Sequence, residues 1–395
     1  MKLAFISQDS SLDVGSWSGI PYHMGRSLED ADHQIVHISP LREKWTYALK
    51  AKKAFFSAVT GREYLRDREP LVLESYARQV IERLTDDVDV VFSPSTIPIA
   101  RLRCEQPIVF WTDAAFAGMV DFYPSFSRLT AESRSAGDAM ERSALERCAL
   151  AIYSSAWAAE TAVSYYGADP GKVKVVPFGA NVEESPSPES IESIIDSRPT
   201  DRCHLLFNGV DWWRKGGDVA VAVARELNER GLETKLTVVG VPAGTAPALP
   251  FVRELGFVNK ESSSGRRLIE NVLTEAHFLI LPSRAETFGI VLCEANAFGV
   301  PCLTTNVGGI PTIVRDDVNG HTFDRDAGAE RYCTYLLDVF ADSDRYRRLA
   351  LASFHEYTSR LNWTTAANTV KVLLDEIARP AGVSGRPQTQ KNSGE

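Results

Sequence analysis

The sequence predicts an α/β protein built from two Rossmann-like halves. Three observations predict it. The 395 residues exceed the usual size of one compact core. Short β-rich apolar runs alternate with longer helical patterns, which implies parallel sheets covered by helices. The alternation also pauses near residue 180 and then starts again.

In the first series Lys2–Ser7 reads as a strand, and Ile20–Asp30 as the helix after a Gly/Ser-rich loop. Gln34–Ile38, Val88–Ser93, Ile108–Trp111, Leu150–Tyr153 and Val173–Val176 read as further strands, with helices over 71–84, 131–147 and 155–166. Pro177–Asn181 and the Ser/Pro/Glu-rich residues 184–200 read as a connection. The second series starts with strand His204–Asn208, helix 217–230 and strand 235–240, and continues with strands at 277–282 and 301–305. The expected division is an N-terminal domain over 1–180, a linker region over 181–200 and a C-terminal domain over 201–360. A C-terminal helix over 361–378 and a disordered tail over 379–395 complete it.

Composition narrows the function. A net charge of −9 argues against a nucleic-acid binder working through a basic field. Six scattered cysteines without a CxxC pair suggest reduced thiols in a cytosolic protein. The first residues turn polar too soon for a signal peptide, and no apolar run approaches the roughly 20 residues that span a bilayer. A cytoplasmic protein is expected, at most peripheral at the inner face of the membrane.

The strongest chemical signal lies in HFLILPSRAETFGIVLCEANAFGVPCLTTNVGGIPTIVRDDVNG, residues 277–320. A buried strand ends in Pro-Ser, a polar loop follows, and a helix starts near Phe288 or Gly289. Open α/β sheets place ligands at such strand ends. The first-turn amides of the helix suit a phosphate, and Gly289 allows close approach. Glu286 in the loop and Glu294 in the helix are carboxylates able to accept paired hydroxyls, as sugar recognition requires. Two solvated or capping glutamates are the plain alternative, which the surrounding strand–Pro-Ser and small-residue pattern disfavours.

This segment resembles the donor-site signature of retaining family-4 glycosyltransferases of GT-B fold. Pro282, Ser283, Glu286, Phe288, Gly289, Glu294, Ala295, Gly299, Pro301, Gly308, Gly309 and Pro311 fall in pattern, whereas Thr312 stands where the family often has Glu. The resemblance implies two domains facing each other across a cleft, with the C-terminal helix packing back on the N-terminal domain. It implies that Glu286 contacts the donor hexose, Glu294 the nucleotide ribose, and the amides of Phe288, Gly289, Ile290 and Val291 the diphosphate. In FNGVDWWRKGG (207–217), Lys215 matches the family's diphosphate lysine. Val210 replaces the usual arginine, leaving Arg214 as its substitute. In LGFVNK (255–260) the base would sit near Phe257 and Val258. The loop GSWSG (15–19) would bring Gly19 to the donor phosphates. Asp113, after strand Ile108–Trp111, stands about where many members have a histidine near the reacting centre; the alternative is a helix cap.

Residues 42–68 hold eight Lys/Arg against three acids, interleaved with Trp45, Tyr47, Phe55, Phe56 and Tyr64. This patch could meet anionic lipid headgroups or an anionic acceptor. It could equally be a solvated helix with its aromatics turned inward, although Lys52 interrupts the apolar face. Asp87-Val88-Asp89 resembles a D-x-D metal motif but leads straight into a buried strand, and the seven histidines show no ligand spacing. The expected activity is metal- and cofactor-independent transfer of a hexose from a nucleotide-diphosphate sugar to a hydroxyl of a glycan, lipid-linked or small-molecule acceptor. The competing readings are a sugar-nucleotide epimerase or hydrolase that needs no acceptor, and an inactive nucleotide-sugar-binding module.

Overall fold

The computed structural model describes residues 1–378; the tail expected over 379–395 lies outside them. The first series runs β1 (Lys2–Ile6), α1 (Ile20–Asp30), β2 (Gln34–Ile38), α2 (Thr46–Thr60), α3 (Pro70–Ile81), β3 (Val90–Ser93) and β4 (Ile108–Thr112). It continues through α4 (Phe116–Met119), α5 (Ala131–Arg147), β5 (Leu150–Tyr153), α6 (Ala156–Tyr166) and β6 (Val173–Val175). These strands form one parallel sheet in the order β2-β1-β3-β4-β5-β6. β3, β4 and β5 are buried along their whole length, as parallel strands covered on both faces must be.

The second series is α7 (Pro188–Asp196), β7 (Arg202–Asn208), α8 (Gly217–Glu229), β8 (Glu233–Val239), β9 (Val252–Gly256), α9 (Ser263–Glu275) and β10 (Phe278–Leu281). Then come α10 (Ile290–Asn296), β11 (Cys302–Thr305), α11 (Ile310–Ile313), β12 (Gly320–Phe323), α12 (Ala329–Phe340), α13 (Ser343–Arg360) and α14 (Trp363–Ala378). The second sheet is also parallel, ordered β12-β11-β10-β7-β8-β9. No helix among the described residues is long and apolar enough to cross a membrane.

The stretch 184–200 is not a plain linker. Ser187 accepts a hydrogen bond from the Ser190 amide and caps α7, and Pro188 occupies its first turn. Ile191 and Ile195, one turn apart, bury against Ala350 and Phe354 of α13. The Ser/Pro/Glu composition that resembles a linker is that of a capped, amphipathic helix. Strands β9 and β12, both at sheet edges, are further elements absent from the sequence reading.

Two chain crossings join the halves. Residues 176–181 leave the first sheet, and α14 returns to lie against α1. The crossings touch: the Ala180 amide donates to the Leu361 carbonyl at 2.9 Å. Phe178 sits 5.4 Å from Trp111, 5.7 Å from Trp363 and 5.1 Å from Phe288, ring centre to ring centre. This aromatic cluster, fully or nearly buried, runs from β4 through both crossings to the start of α10.

Candidate active site

In each sheet the strand order reverses at one point: between β1 and β3 in the first, and between β7 and β10 in the second. Such switch points leave a crevice beyond the carboxyl ends of the strands. The two crevices form one cleft of about 920 Å³ lined by both halves.

The loop after β7 carries Arg214 and Lys215, and the loop after β10 carries Glu286, so the second switch point brings the three together. Lys215 Nζ donates to Glu286 Oε2, and Arg214 Nη1 lies 3.6 Å from the same oxygen. All three side chains are largely buried. Arg214 is held by its Nη1, which donates to the Ala285 carbonyl at 2.9 Å, and by its backbone carbonyl, which accepts from the Arg284 amide at 2.7 Å. The two loops are thus one hydrogen-bonded unit. Gly308 and Gly309 seat it from behind. A Cβ on either would lie 2.0 Å from the Glu286 or Thr287 carbonyl, so the Gly-Gly pair of the signature is a packing requirement.

Gly289 precedes α10 with φ +94° and no side-chain cap, leaving the first-turn amides of this seven-residue helix without a capping partner. Phe288, Gly289, Ile290 and Val291 all line the cleft. The Phe288 ring itself belongs to the aromatic cluster, so its backbone is what remains for a ligand. Glu294 is 2% exposed, and both its oxygens accept from Lys260 Nζ, at 2.8 and 2.7 Å. Val258 lines the cleft in the loop after β9. Gly19 is buried at the start of α1 with φ +81°; its neighbours Gly15 to Ser18 form the cleft wall. Asn181 Nδ2 donates to the Ser18 carbonyl at 2.6 Å, and its Oδ1 accepts from Trp363 Nε1 at 2.8 Å, tying that wall to the crossings.

From the first half, Asp113 faces Glu286 across the cleft. It is not a helix cap, since α4 starts at Phe116 without a side-chain cap. Its Oδ2 accepts from the Thr287 hydroxyl at 2.8 Å. Burial pushes the Asp113 carboxyl up to about 6; the Thr287 hydrogen bond opposes this and the Glu286 charge adds to it. Tyr123, absent from the sequence reading, makes the second bridge. Its hydroxyl accepts from the Thr287 amide at 3.0 Å and donates to Glu286 Oε1 at 3.4 Å, while its ring lies 5.0 Å below the Arg214 guanidinium. Burial and the Glu286 charge keep this phenol protonated. Tyr123, Thr287 and Lys260 are thus the additions to the expected set. Thr312 also works between the halves: its hydroxyl accepts from the Ala156 amide at the start of α6, 3.0 Å away.

Asp87 and Asp89 have a structural task. Asp87 pairs with the Lys2 ammonium, and Asp89 accepts from the Lys2 amide at 2.7 Å, pinning the start of β1.

Residues 192–354 match the family model described as glycosyl transferases group 1. A D-inositol 3-phosphate glycosyltransferase of Xylanimonas cellulosilytica is 32% identical over 239 residues, 56% of this chain and 54% of the relative. One from Nocardia farcinica is 28% identical over 251 residues, 58% and 52% of the two chains. The chain therefore spans about half the length of the curated relatives it matches. Among solved structures, sucrose-phosphate synthase from Thermosynechococcus elongatus superposes with a TM-score of 0.69 at 16% identity, covering 95% of this chain and 99% of that one. Anabaena HepE in complex with UDP-glucose gives 0.62 at 15% identity, covering 95% and 100%. The fold is that of the GT-B glycosyltransferases, two Rossmann-like sheets facing one cleft.

Proposed function

We propose that the chain is a glycosyltransferase that moves a hexose from a nucleoside-diphosphate sugar to a hydroxyl acceptor with retention at the anomeric carbon. The observation that carries this reading is the convergence of Arg214 and Lys215 on Glu286 at the second switch point, facing Asp113. The names of the relatives and the UDP-glucose held by a protein of the same fold support it.

Lys215 and Arg214 stabilise the leaving diphosphate with charge that needs no metal or other cofactor, and the α10 amides add neutral donors. Glu286, released from Lys215 as the diphosphate arrives, accepts hexose hydroxyls. Glu294 exchanges Lys260 for the ribose diol, and the backbone at Val258 meets the base. Asp113 orients the acceptor hydroxyl or stabilises positive charge on the sugar. As in similar enzymes, the departing phosphate takes the acceptor proton on the same face. Gly19 lets the loop of residues 15–19 close on the phosphates. The expected site of action is the cytoplasm.

A thermal-shift and hydrolysis screen of UDP-, GDP- and ADP-sugars tests the reading. One donor class should raise the melting temperature, because a ligand that binds only the folded state stabilises it by mass action. No shift with any of them would remove the basis for transfer. Conversion of the donor at catalytic rates without an acceptor would favour the epimerase or hydrolase reading.

A further inference from the structure

We propose that α2 docks the protein on an anionic membrane surface. None of its fifteen residues is buried, which is unusual for a helix tethered at both ends in a globular domain. It is nevertheless fixed from one side. Phe56 stacks on Tyr64 with 5.5 Å between ring centres, and Lys52 Nζ reaches Glu69 at 2.8 Å and Glu132 at 2.6 Å while lying 4.6 Å over the Tyr64 ring. The lysine that breaks the apolar pattern in the sequence is therefore the inward anchor.

The opposite side is apolar. At 100° per residue, Tyr47, Ala51, Ala54, Phe55, Ala58 and Val59 share an arc of about 140°. Tyr47 is 90% exposed, Phe55 60% and Val59 66%, and Trp45, just before the helix, is 61% exposed. The bland expectation of inward aromatics holds only for Phe56 and Tyr64.

Charge selects the occupant. From Lys44 to Arg62 there is no Asp or Glu, on a chain of net charge −9. Lys44 and Lys50 meet no carboxylate among the described residues, and Lys53 reaches Glu63 at 3.4 Å. An outward apolar arc bordered by lysines, with a tryptophan and a tyrosine at one end, matches the acyl boundary, headgroups and interface of an anionic bilayer. No residue of α2 lines the cleft, so the docking face and the site are separate surfaces.

The test is co-sedimentation of the full chain with vesicles of phosphatidylcholine, with and without phosphatidylglycerol. Binding is expected only with phosphatidylglycerol and should weaken with salt. Y47E/F55E should abolish it, and K44Q/K50Q should weaken it about fivefold per lysine. Absence of binding to the anionic vesicles, or full binding by Y47E/F55E, overturns the proposal. So does a concentration-dependent dimer that Y47E/F55E dissolves, which would make a second copy the occupant. The donor-induced thermal shift of Y47E/F55E should equal that of the parent chain. This readout keeps failure of docking distinct from failure of the transferase reading.

Discussion

The two walls of the cleft are built differently. On the C-terminal wall, Arg214, Lys215 and Glu286 are full charges that compensate one another within one domain, on loops joined by backbone hydrogen bonds. On the N-terminal wall, Asp113 and Tyr123 are groups whose charged forms burial disfavours, and both spend their hydrogen bonds on the facing wall. One wall is a preassembled charge cluster. The other holds that cluster in place, so its residues should act on geometry more than on charge.

Lys215→Ala should break this comparison most severely. Removing one preorganised stabiliser of developing charge costs on the order of 10²–10³ in kcat. Steady-state kinetics with the donor class found in the screen would show it; near-normal turnover would end the assignment. Tyr123→Phe leaves the Thr287 amide without its partner, and an unsatisfied buried donor costs about 1–3 kcal/mol. A loss of about tenfold in kcat with little change in donor affinity is expected, measurable by kinetics beside calorimetric binding. An effect confined to affinity would place Tyr123 on the donor rather than on the loop.

Glu294→Gln tests whether the carboxylate under Lys260 serves ground-state binding. The donor Kd should rise about tenfold with kcat nearly unchanged, since a contact kept equally in ground and transition states alters only binding. The remaining effect is on stability and concerns pH. Asp113 has its folded pKa raised to about 6 from an unfolded value near 4, so the folded state holds the proton more tightly. Its contribution to stability is complete below about pH 4 and is lost as pH rises through about 6. Asp113→Asn should therefore nearly match the parent chain at pH 4 and exceed it by about 3 kcal/mol at pH 8, by denaturant unfolding. Glu141, which burial raises to about 7, slopes the same way in both proteins and cancels in the difference.

What could be read from the sequence divides along the same line. The β10–α10 segment is legible because its signals are local: an apolar strand, a Pro-Ser stop, an acid at fixed spacing and a glycine before the helix. Tyr123 and Thr287 lie 164 residues apart, and Asp113 and Thr287 lie 174 apart. No periodicity or propensity reports such a pair; only the resemblance of the strand end pointed to Asp113. The Lys260–Glu294 pair escaped for the same reason, and α7 because Ser, Pro and Glu serve linkers and helix starts equally well.

Because α14 returns to α1, the N-terminal domain is assembled from both ends of the described chain, and the C-terminal domain is an insertion within it. A cut near residue 180 does not yield two autonomous pieces, since the first loses the helix that covers α1. Isolating the C-terminal half requires two cuts, at the paired crossings where Ala180 meets Leu361. Both crossings pack on one aromatic cluster, so Phe178 and Trp363 join the domains by side-chain contact where the backbone joins them covalently.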